Sequence, residues 1–482
     1  MLDRVVTTDD ADLTRFLTDF GRLAESASRY ANRDRMGDKQ RLGDRLAEHL
    51  GSDPAVLPVL TEEVSPFRFA DVDLALEGIL EEAGGGELIG VGGGEQRWHT
   101  SLSEMLNATY VDVPVGPVDY EKVPTGPDTE RSAVAFGIYL FRWRDDGGAH
   151  PVAVLTRGTR AQYGATPRLE VLTADGGVAA ALLARVRELM SSRSVLRGQI
   201  VTFGGSEFEA SQGVPSQGQV TFQPRPQIPA ADIVLPAGTL TKVERHVLGI
   251  GTHRETLARA GQHLKRGVLL YGPPGTGKTL TVRHLLGMAE DTTVIMLTGM
   301  ALQLISLATQ TARALQPAIV VLEDCDLVAE QRDQFGSSPL LFEVLDALDG
   351  LASDSDVTFL LTTNRVDVLE PALAQRPGRV DLAVEIPRPD RAARRQLLTL
   401  YGRDLPFSDA VLDEVARDSE GTTASFAKEL VRRAVLLAAV EEQTLADDHL
   451  RTALAEMMTD SSAITRALLG GGDWPASGGG YA

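Results

Sequence analysis

The chain has 482 residues and a formal net charge of −20 at pH 7, from 47 Lys and Arg against 67 Asp and Glu. That length implies two or three domains, and the acidic balance argues against nucleic acid as a partner, because a sequence-independent grip on DNA or RNA rests on cations displacing counterions. The only cysteine, Cys325, excludes a disulfide framework and a thiolate metal cluster.

Residues 1–50 are charged throughout and lack the apolar core of a signal peptide, and no later stretch approaches the roughly 18 apolar residues of a spanning helix. The expectation is a cytoplasmic protein with no membrane partner. Near the start, Leu13, Phe16, Leu17, Phe20 and Leu23 recur on one face of a helical pattern, which predicts a helix packed on the rest of an amino-terminal region. A helix is expected over Val72 to Leu80. Gly84, Gly85, Gly86, Gly90, Gly92, Gly93 and Gly94 then read as a flexible connection, since no Lys-Ser/Thr follows to make a phosphate loop.

From Ser132 the pattern changes to period two, with Val134, Phe136, Ile138 and Leu140 alternating along a predicted strand. Pro151 to Thr156 and Leu169 to Thr173 are further predicted strands. Val178, Leu182, Leu183, Val186 and Leu189 mark an amphipathic helix. Residues 1–210 thus read as an α+β amino-terminal domain that recognises a partner, and 211–231, rich in Pro, Gly, Ser and Gln, as a linker.

Residues 232–388 are the informative part. After a mostly helical lead-in to Arg266, a short apolar strand runs into Gly272-Pro273-Pro274-Gly275-Thr276-Gly277-Lys278-Thr279-Leu280, a complete P-loop. Its glycines let successive backbone N–H groups point at phosphate, Lys278 supplies a cation, Thr279 can place its hydroxyl on Mg²⁺, and the following helix aims its positive end at the anion. A nucleoside triphosphate, ATP or GTP, with Mg²⁺ is the cofactor expected. Downstream, the buried-strand run Ala318 to Leu322 ends in Glu323-Asp324-Cys325-Asp326, and a second run, Val357 to Thr362, ends at Thr363-Asn364-Arg365. Acidic residues at a strand end beside a P-loop suit a Mg²⁺ site and an attacking water. Two registers are open. In one, Glu323 is on the metal and Asp324 is the base. In the other, Asp324 is on the metal and Cys325 stands at the base position.

With these motifs the segment from Asp232 to Leu454 resembles the AAA family of P-loop ATPases, over just under half the chain. Leu345-Asp346-Ala347-Leu348-Asp349-Gly350 is similar to that family's signature between the acidic strand and the sensor asparagine. The Glu-Asp order resembles that of the mitochondrial AAA chaperone that translocates the Rieske protein. The resemblance implies ATP as the nucleotide and an α/β fold, a five-stranded parallel P-loop NTPase sheet followed by a helical lid over 389–460; the tail at 461–482 is Gly-rich and by its composition is expected to be disordered. The resemblance further implies that Asn364 senses the γ-phosphate, that Ala424 contacts adenine through its backbone, and that Arg376 and Arg379 reach the neighbouring subunit's nucleotide. Arginines acting in trans need a head-to-tail interface, which closes into a ring, by family resemblance a homo-hexamer.

The pattern departs from the family in places. An extra residue, Ala374 or Gln375, precedes Arg376, and Ala424-Ser425-Phe426 stands where Gly-Ala-Asp is frequent. Thr298 to Pro317 is short and contains no Phe, Tyr or Trp, so the aromatic grip of threading relatives is missing from its expected place. There Met300, Leu302, Leu304 and Ile305 are either weak pore residues or a packed helix. No His-Glu-x-x-His motif of the membrane AAA proteases occurs in the sequence. The expected function is an ATP-hydrolysing ring that remodels or translocates a protein partner. The alternative is a nucleotide-gated scaffold or switch with slow hydrolysis.

Overall fold

The computed structural model describes residues 13–23, 26–27, 40–92, 99–107, 113–145, 147–158, 166–204, 219–325, 355–365 and 380–459. Arg376, Arg379, Asp326, the run Leu345 to Gly350 and the tail 461–482 lie outside them. The chain divides into two compact units, one of residues 1–195 with 205–219, the other of 196–204 with 220–482. Among the described residues no helix is long and apolar enough to cross a membrane.

The first unit is built on a seven-stranded antiparallel sheet of β1 (Val59–Glu63), β2 (Gly86–Val91), β3 (Val115–Gly116), β4 (Asp119–Gly126), β5 (Thr129–Asp145), β6 (Gly148–Arg157) and β7 (Arg168–Leu172), in the order β1-β7-β6-β5-β2-β3 with β4 also on β5. Helices Phe69–Ala83 and Gly176–Ser192 share one core with Tyr139 and Phe141 of β5, while Leu42–Leu50 and Leu102–Leu106 share another with Phe136, Ile138 and Leu140. The alternation along β5 therefore feeds two cores, one on each face of the sheet.

Two sequence expectations fail in this unit. The glycine run is not simply a flexible connection, because Gly86 to Val91 is strand β2. Its glycines serve close approach: a Cβ on Gly90 would lie 1.9 Å from the Pro117 carbonyl oxygen. The helix over 13–23 is present but does not pack, since Leu13, Phe16, Leu17, Phe20 and Leu23 are all exposed. An amphipathic pattern specifies a face and not what covers it.

In the second unit the sheet order is β14-β10-β13-β12-β11-β8-β9, from β8 (Ile200–Gly204), β9 (Gln219–Gln223), β10 (Arg266–Tyr271), β11 (Thr293–Thr298), β12 (Ala318–Glu323), β13 (Val357–Thr363) and β14 (Leu382–Glu385). The strands from β14 through β8 pair in parallel. All seven residues of β13 are buried, and so are all but the last of β10 and β12, as expected where helices cover both faces of a parallel sheet. The five expected strands are all present, and β8 and β9 extend them at the β11 edge. That corrects the placement of the first boundary at 210: Ile200 to Thr202 pairs with Val294 to Met296, so β8 belongs to this sheet and 196–204 to this unit. The expected linker is likewise not uniform, since Gln219–Gln223 forms a strand.

Past β11 the chain turns through a single 3-10 helix, Gly299–Leu304, into helix Ile305–Ala314. Leu302 and Ile305 are buried, which favours the packed reading of this segment over a pore-lining one for those two residues. After β14 come four helices, Arg391–Tyr401, Asp409–Asp418, Ala424–Val440 and Asp447–Met458, closed around Leu398, Val411, Val415, Phe426, Leu430 and Leu450. These four helices fall within residues 389–460, for which a helical lid is expected.

Candidate nucleotide site

Ligand sites of parallel α/β sheets form outside the carboxyl ends of the strands. Three such ends meet here. β10 delivers the P-loop, β12 delivers Glu323 and Asp324, and β13 delivers Asn364.

The P-loop conformation depends on glycine. Gly272, Gly275 and Gly277 have φ of 142°, 75° and 111°, a region L side chains rarely adopt. At Gly272 a Cβ would also lie 2.2 Å from the Ile386 carbonyl oxygen, because the chain leaving β14 passes directly over the loop. Thr276 Oγ1 donates to the Pro273 carbonyl at 2.9 Å and bridges the turn. Lys278 is buried, and its Nζ donates to the carbonyls of Gly272 at 2.7 Å and Pro273 at 2.9 Å. Helix Lys278–Met288 starts at that point, so its unpaired N–H groups and positive end face the loop.

The acidic pair is divided by a change of backbone conformation. Glu323 ends β12, whereas Asp324 has φ 53°, a left-handed conformation costing about 1–2 kcal/mol for a residue with a Cβ. The turn is held by Asp324 N–H donating to Thr362 Oγ1 at 3.1 Å and Cys325 N–H donating to the Thr362 carbonyl at 3.0 Å. Asn364 Nδ2 donates to Asp324 Oδ1 at 3.3 Å. Cys325 is buried, with Sγ directed to the Leu322 carbonyl at 3.5 Å. Asp324 therefore faces Asn364 across the strand ends, while the Cys325 thiol is turned back onto the end of β12.

Burial holds the Glu323 carboxyl above the usual glutamate range, and the neighbouring Asp324 charge pushes the same way, against Arg283 and a hydrogen bond with Thr279. Glu323 Oε1 is buried with no hydrogen-bond partner among the described residues. A buried carboxylate oxygen left over beside a threonine hydroxyl is a donor set that fits a hard, oxygen-seeking cation such as Mg²⁺. Thr279 and Glu323 are the residues that would hold it.

The lid closes the opposite side. Ser425 N–H donates to the Gly275 carbonyl at 3.0 Å, and Thr423 Oγ1 caps helix Ala424–Val440 by accepting from Phe426 N–H. Between lid and sheet lies a cleft of about 570 Å³, within the range of small-molecule sites. Its polar part is lined by Pro274 through Leu280 with Asp324 and Asn364, and its apolar part by Ile233, Val234, Leu235, Leu397 and Tyr401. Ala424 is also on the wall. The arrangement thus gathers Lys278, Thr279, Asp324, Asn364 and Ala424 around one space, with Glu323 bonded to Thr279. Gly272 and Pro273 are reached through the Lys278 bonds.

Sequence reasoning missed four groups on this wall: Asp232 to Leu235, Arg283, the Leu397/Tyr401 pair and Lys428. Two carried a signal. Arg283 stands four residues after Thr279 and Lys428 four after Ala424, one helical turn along the same faces.

Residues 268–388 match the family described as "ATPase family associated with various cellular activities (AAA)". The chain is similar to the 26S proteasome regulatory subunit 6A of Encephalitozoon cuniculi, 34% identical over 208 residues, which is 40% of this chain and 52% of that protein. It is also 33% identical over 267 residues to the ATP-dependent zinc metalloprotease FtsH 3 of Sphaerobacter thermophilus, covering 52% of this chain and 53% of that one. The ATPase family gene 2 protein of Schizosaccharomyces pombe is 31% identical over 234 residues, 45% of this chain and 28% of the relative. The chain thus spans about half or less of the length of these relatives. Within the parallel-sheet unit, residues 268–388 are thus similar to the AAA domain of AAA+ ATPases.

Proposed function

We propose that this chain binds ATP with Mg²⁺ and hydrolyses it within a ring of like subunits, using the cycle to remodel or translocate a protein partner recognised by the amino-terminal unit. The observation that carries the reading is the convergence, at three neighbouring strand ends, of a phosphate loop, a metal-type carboxylate–threonine pair and an Asp324–Asn364 pair, all beside one cleft. The base is assigned to the apolar wall of Ile233, Val234, Leu397 and Tyr401, and the phosphates to the P-loop. Bound Mg²⁺ would neutralise charge on the phosphate oxygens.

Within that frame each residue has one task. Backbone N–H groups of Gly275 to Thr279 and the Lys278 ammonium hold the phosphate chain; Lys278 exchanges its carbonyl bonds for phosphate oxygens. Asp324 accepts the proton of the attacking water, and Asn364 fixes both the carboxylate and the water. Arg376 and Arg379 act on the neighbouring subunit's γ-phosphate, a contribution worth about 10³ to 10⁵ in rate where such arginines operate. The test is ATP turnover against protein concentration. Turnover per subunit should rise steeply as the ring assembles, and a dilute monomer hydrolysing as fast as concentrated protein overturns the ring mechanism.

The alternative, a nucleotide-gated scaffold with slow hydrolysis, is favoured by two observations. The base is an Asp in a strained conformation, and Leu302 and Ile305 are buried after β11, where a threading loop would present side chains. Nucleotide-dependent assembly with negligible turnover supports it; brisk turnover abolished by Asp324→Asn eliminates it.

A further inference from the structure

Past β9, residues 225–228 run along helix Lys278–Met288 as a strap, fixed at three levels, before the chain continues to Leu235. At the helix's carboxyl end, Arg225 Nη1 donates to the carbonyls of Leu286 at 2.6 Å and Ala289 at 2.7 Å, while its Nη2 donates to those of Gly198 at 2.9 Å and Thr292 at 3.2 Å. A guanidinium so placed satisfies carbonyls that a helix end leaves without partners. Next, the Pro226 carbonyl rests on Gly287, where a Cβ would come within 2.4 Å of the oxygen. One helical turn earlier, His284, 2% exposed, directs Nδ1 to the Ile228 carbonyl at 2.7 Å and Nε2 to Glu244 Oε1 at 2.9 Å. A carbonyl only accepts, so Nδ1 carries the hydrogen of that bond.

Beyond Ile228 the strap reaches the cleft. Asp232, Ile233, Val234 and Leu235 line it, Val234 also packs against the lid core, and Asp232 pairs with Arg403 of the lid at 3.1 Å. The strap that leads into the apolar wall of the cleft is therefore held by contacts toward the carboxyl end of the P-loop helix.

We propose that His284 and Gly287 are positioning residues for the base of the nucleotide: they seat the strap on the P-loop helix and thereby set Ile233 and Val234 against the base, without touching it. This rests on the reading of the cleft as an ATP site. Because the P-loop itself starts at the other end of that helix, loosening the strap acts on base binding and not on phosphate binding. A general defect of the helix acts on both.

The experiment uses the full chain and calorimetric titration with ATP, ADP and inorganic tripolyphosphate, each with Mg²⁺. His284→Ala should weaken ATP and ADP by about ten-fold, the equivalent of one well-made buried hydrogen bond, and leave tripolyphosphate unchanged. His284→Asn, whose amide can still donate toward Ile228, should restore most of the loss. Gly287→Ala, which displaces Pro226 without altering His284, should reproduce the base-selective loss. Equal losses for tripolyphosphate, or no loss in either variant while the wild type binds ATP, overturn the strap proposal alone. A wild-type chain that binds neither ATP nor ADP overturns the nucleotide reading together with it.

Discussion

Asn364 Nδ2 donates to Asp324 Oδ1 at 3.3 Å, joining the end of β13 to the residue that follows β12. The bond crosses two adjacent parallel strands, so the rigidity of the sheet is transmitted to the carboxylate. With Asp324 as the base, Asp324→Asn should lower turnover by about 10² to 10⁴-fold while ATP affinity stays within a few-fold, because no phosphate contact is lost. Asn364→Ala should lower turnover less, since the carboxylate remains but is no longer oriented. Steady-state turnover alongside equilibrium ATP binding separates the two effects; a fall in affinity matching the fall in rate would contradict the assignment.

The P-loop glycines are not equivalent. Gly272 combines φ 142° with a Cβ position 2.2 Å from backbone of the Ile386 peptide, whereas Gly277, at φ 111°, has open space around its Cβ. Gly277→Ala should therefore cost only conformational strain, about 1–3 kcal/mol. Gly272→Ala adds a backbone clash with β14's exit and should cost clearly more. Chemical denaturation of both variants without nucleotide checks the order, and equal losses would mean that the Ile386 contact yields freely.

How far the sequence reveals this site depends on whether its parts are local. The P-loop, Glu323, Asp324 and Asn364 are legible because each is a motif bounded by an apolar strand, and a buried parallel strand reads as a continuous apolar run. The apolar wall is not. Ile233 and Tyr401 lie 168 positions apart, meet at the cleft by tertiary packing, and neither has a spacing signal. Nor does Ile200 to Gly204 contain anything that names β11 as its partner, so its sequence alone groups it with the amino-terminal domain. In β2, missing side chains read as flexibility, although Gly90 lacks one so that Pro117 can approach.

Stability should depend on pH through Glu323. Its carboxyl is raised above the ordinary 4.5, first by burial and then by Asp324. Between 4.5 and the raised value the folded chain binds more protons than the unfolded one, so stability falls as pH rises through that window and stays lower above it. Glu323→Gln should remove this fall and leave the metal-free protein more stable at neutral pH than wild type. It should also lose stabilisation by Mg²⁺–ATP. Melting temperatures from pH 4.5 upward, with and without Mg²⁺, test both; a variant with the wild-type pH slope assigns that slope elsewhere.

The helix over 13–23 gives a prediction by contrast with a core. Phe16 and Phe20 stack with ring centroids 6.0 Å apart, yet are 62% and 58% exposed. Truncating a buried Phe costs about 3–5 kcal/mol, so the double change Phe16→Ala/Phe20→Ala distinguishes an unpacked helix from a packed one. The melting temperature should stay within about 1–2 °C of wild type, the scale of a few tenths of a kcal/mol. A drop of several degrees would mean that the pair is buried in solution.

Arg266 and Asp356 pose the opposite case, a buried pair. Arg266 opens β10, is 6% exposed, donates from Nη1 to Asp356 Oδ1 at 2.7 Å and to the Leu264 carbonyl at 2.8 Å, and from Nε and Nη2 to the Val247 carbonyl. Asp356, 5% exposed, immediately precedes β13, the strand paired with β10, and its N–H donates to Gln316 Oε1 just before β12. The pair thus fixes the amino ends of the strands whose carboxyl ends carry the P-loop, Asp324 and Asn364. Removing one partner leaves a buried charge uncompensated, so Asp356→Ala should cost about 3–5 kcal/mol. Replacing both by apolar residues of similar volume should cost much less. A double-mutant cycle in denaturant reads the difference, and a single-variant loss below about 1 kcal/mol, the range of exposed pairs, would show that water reaches the guanidinium.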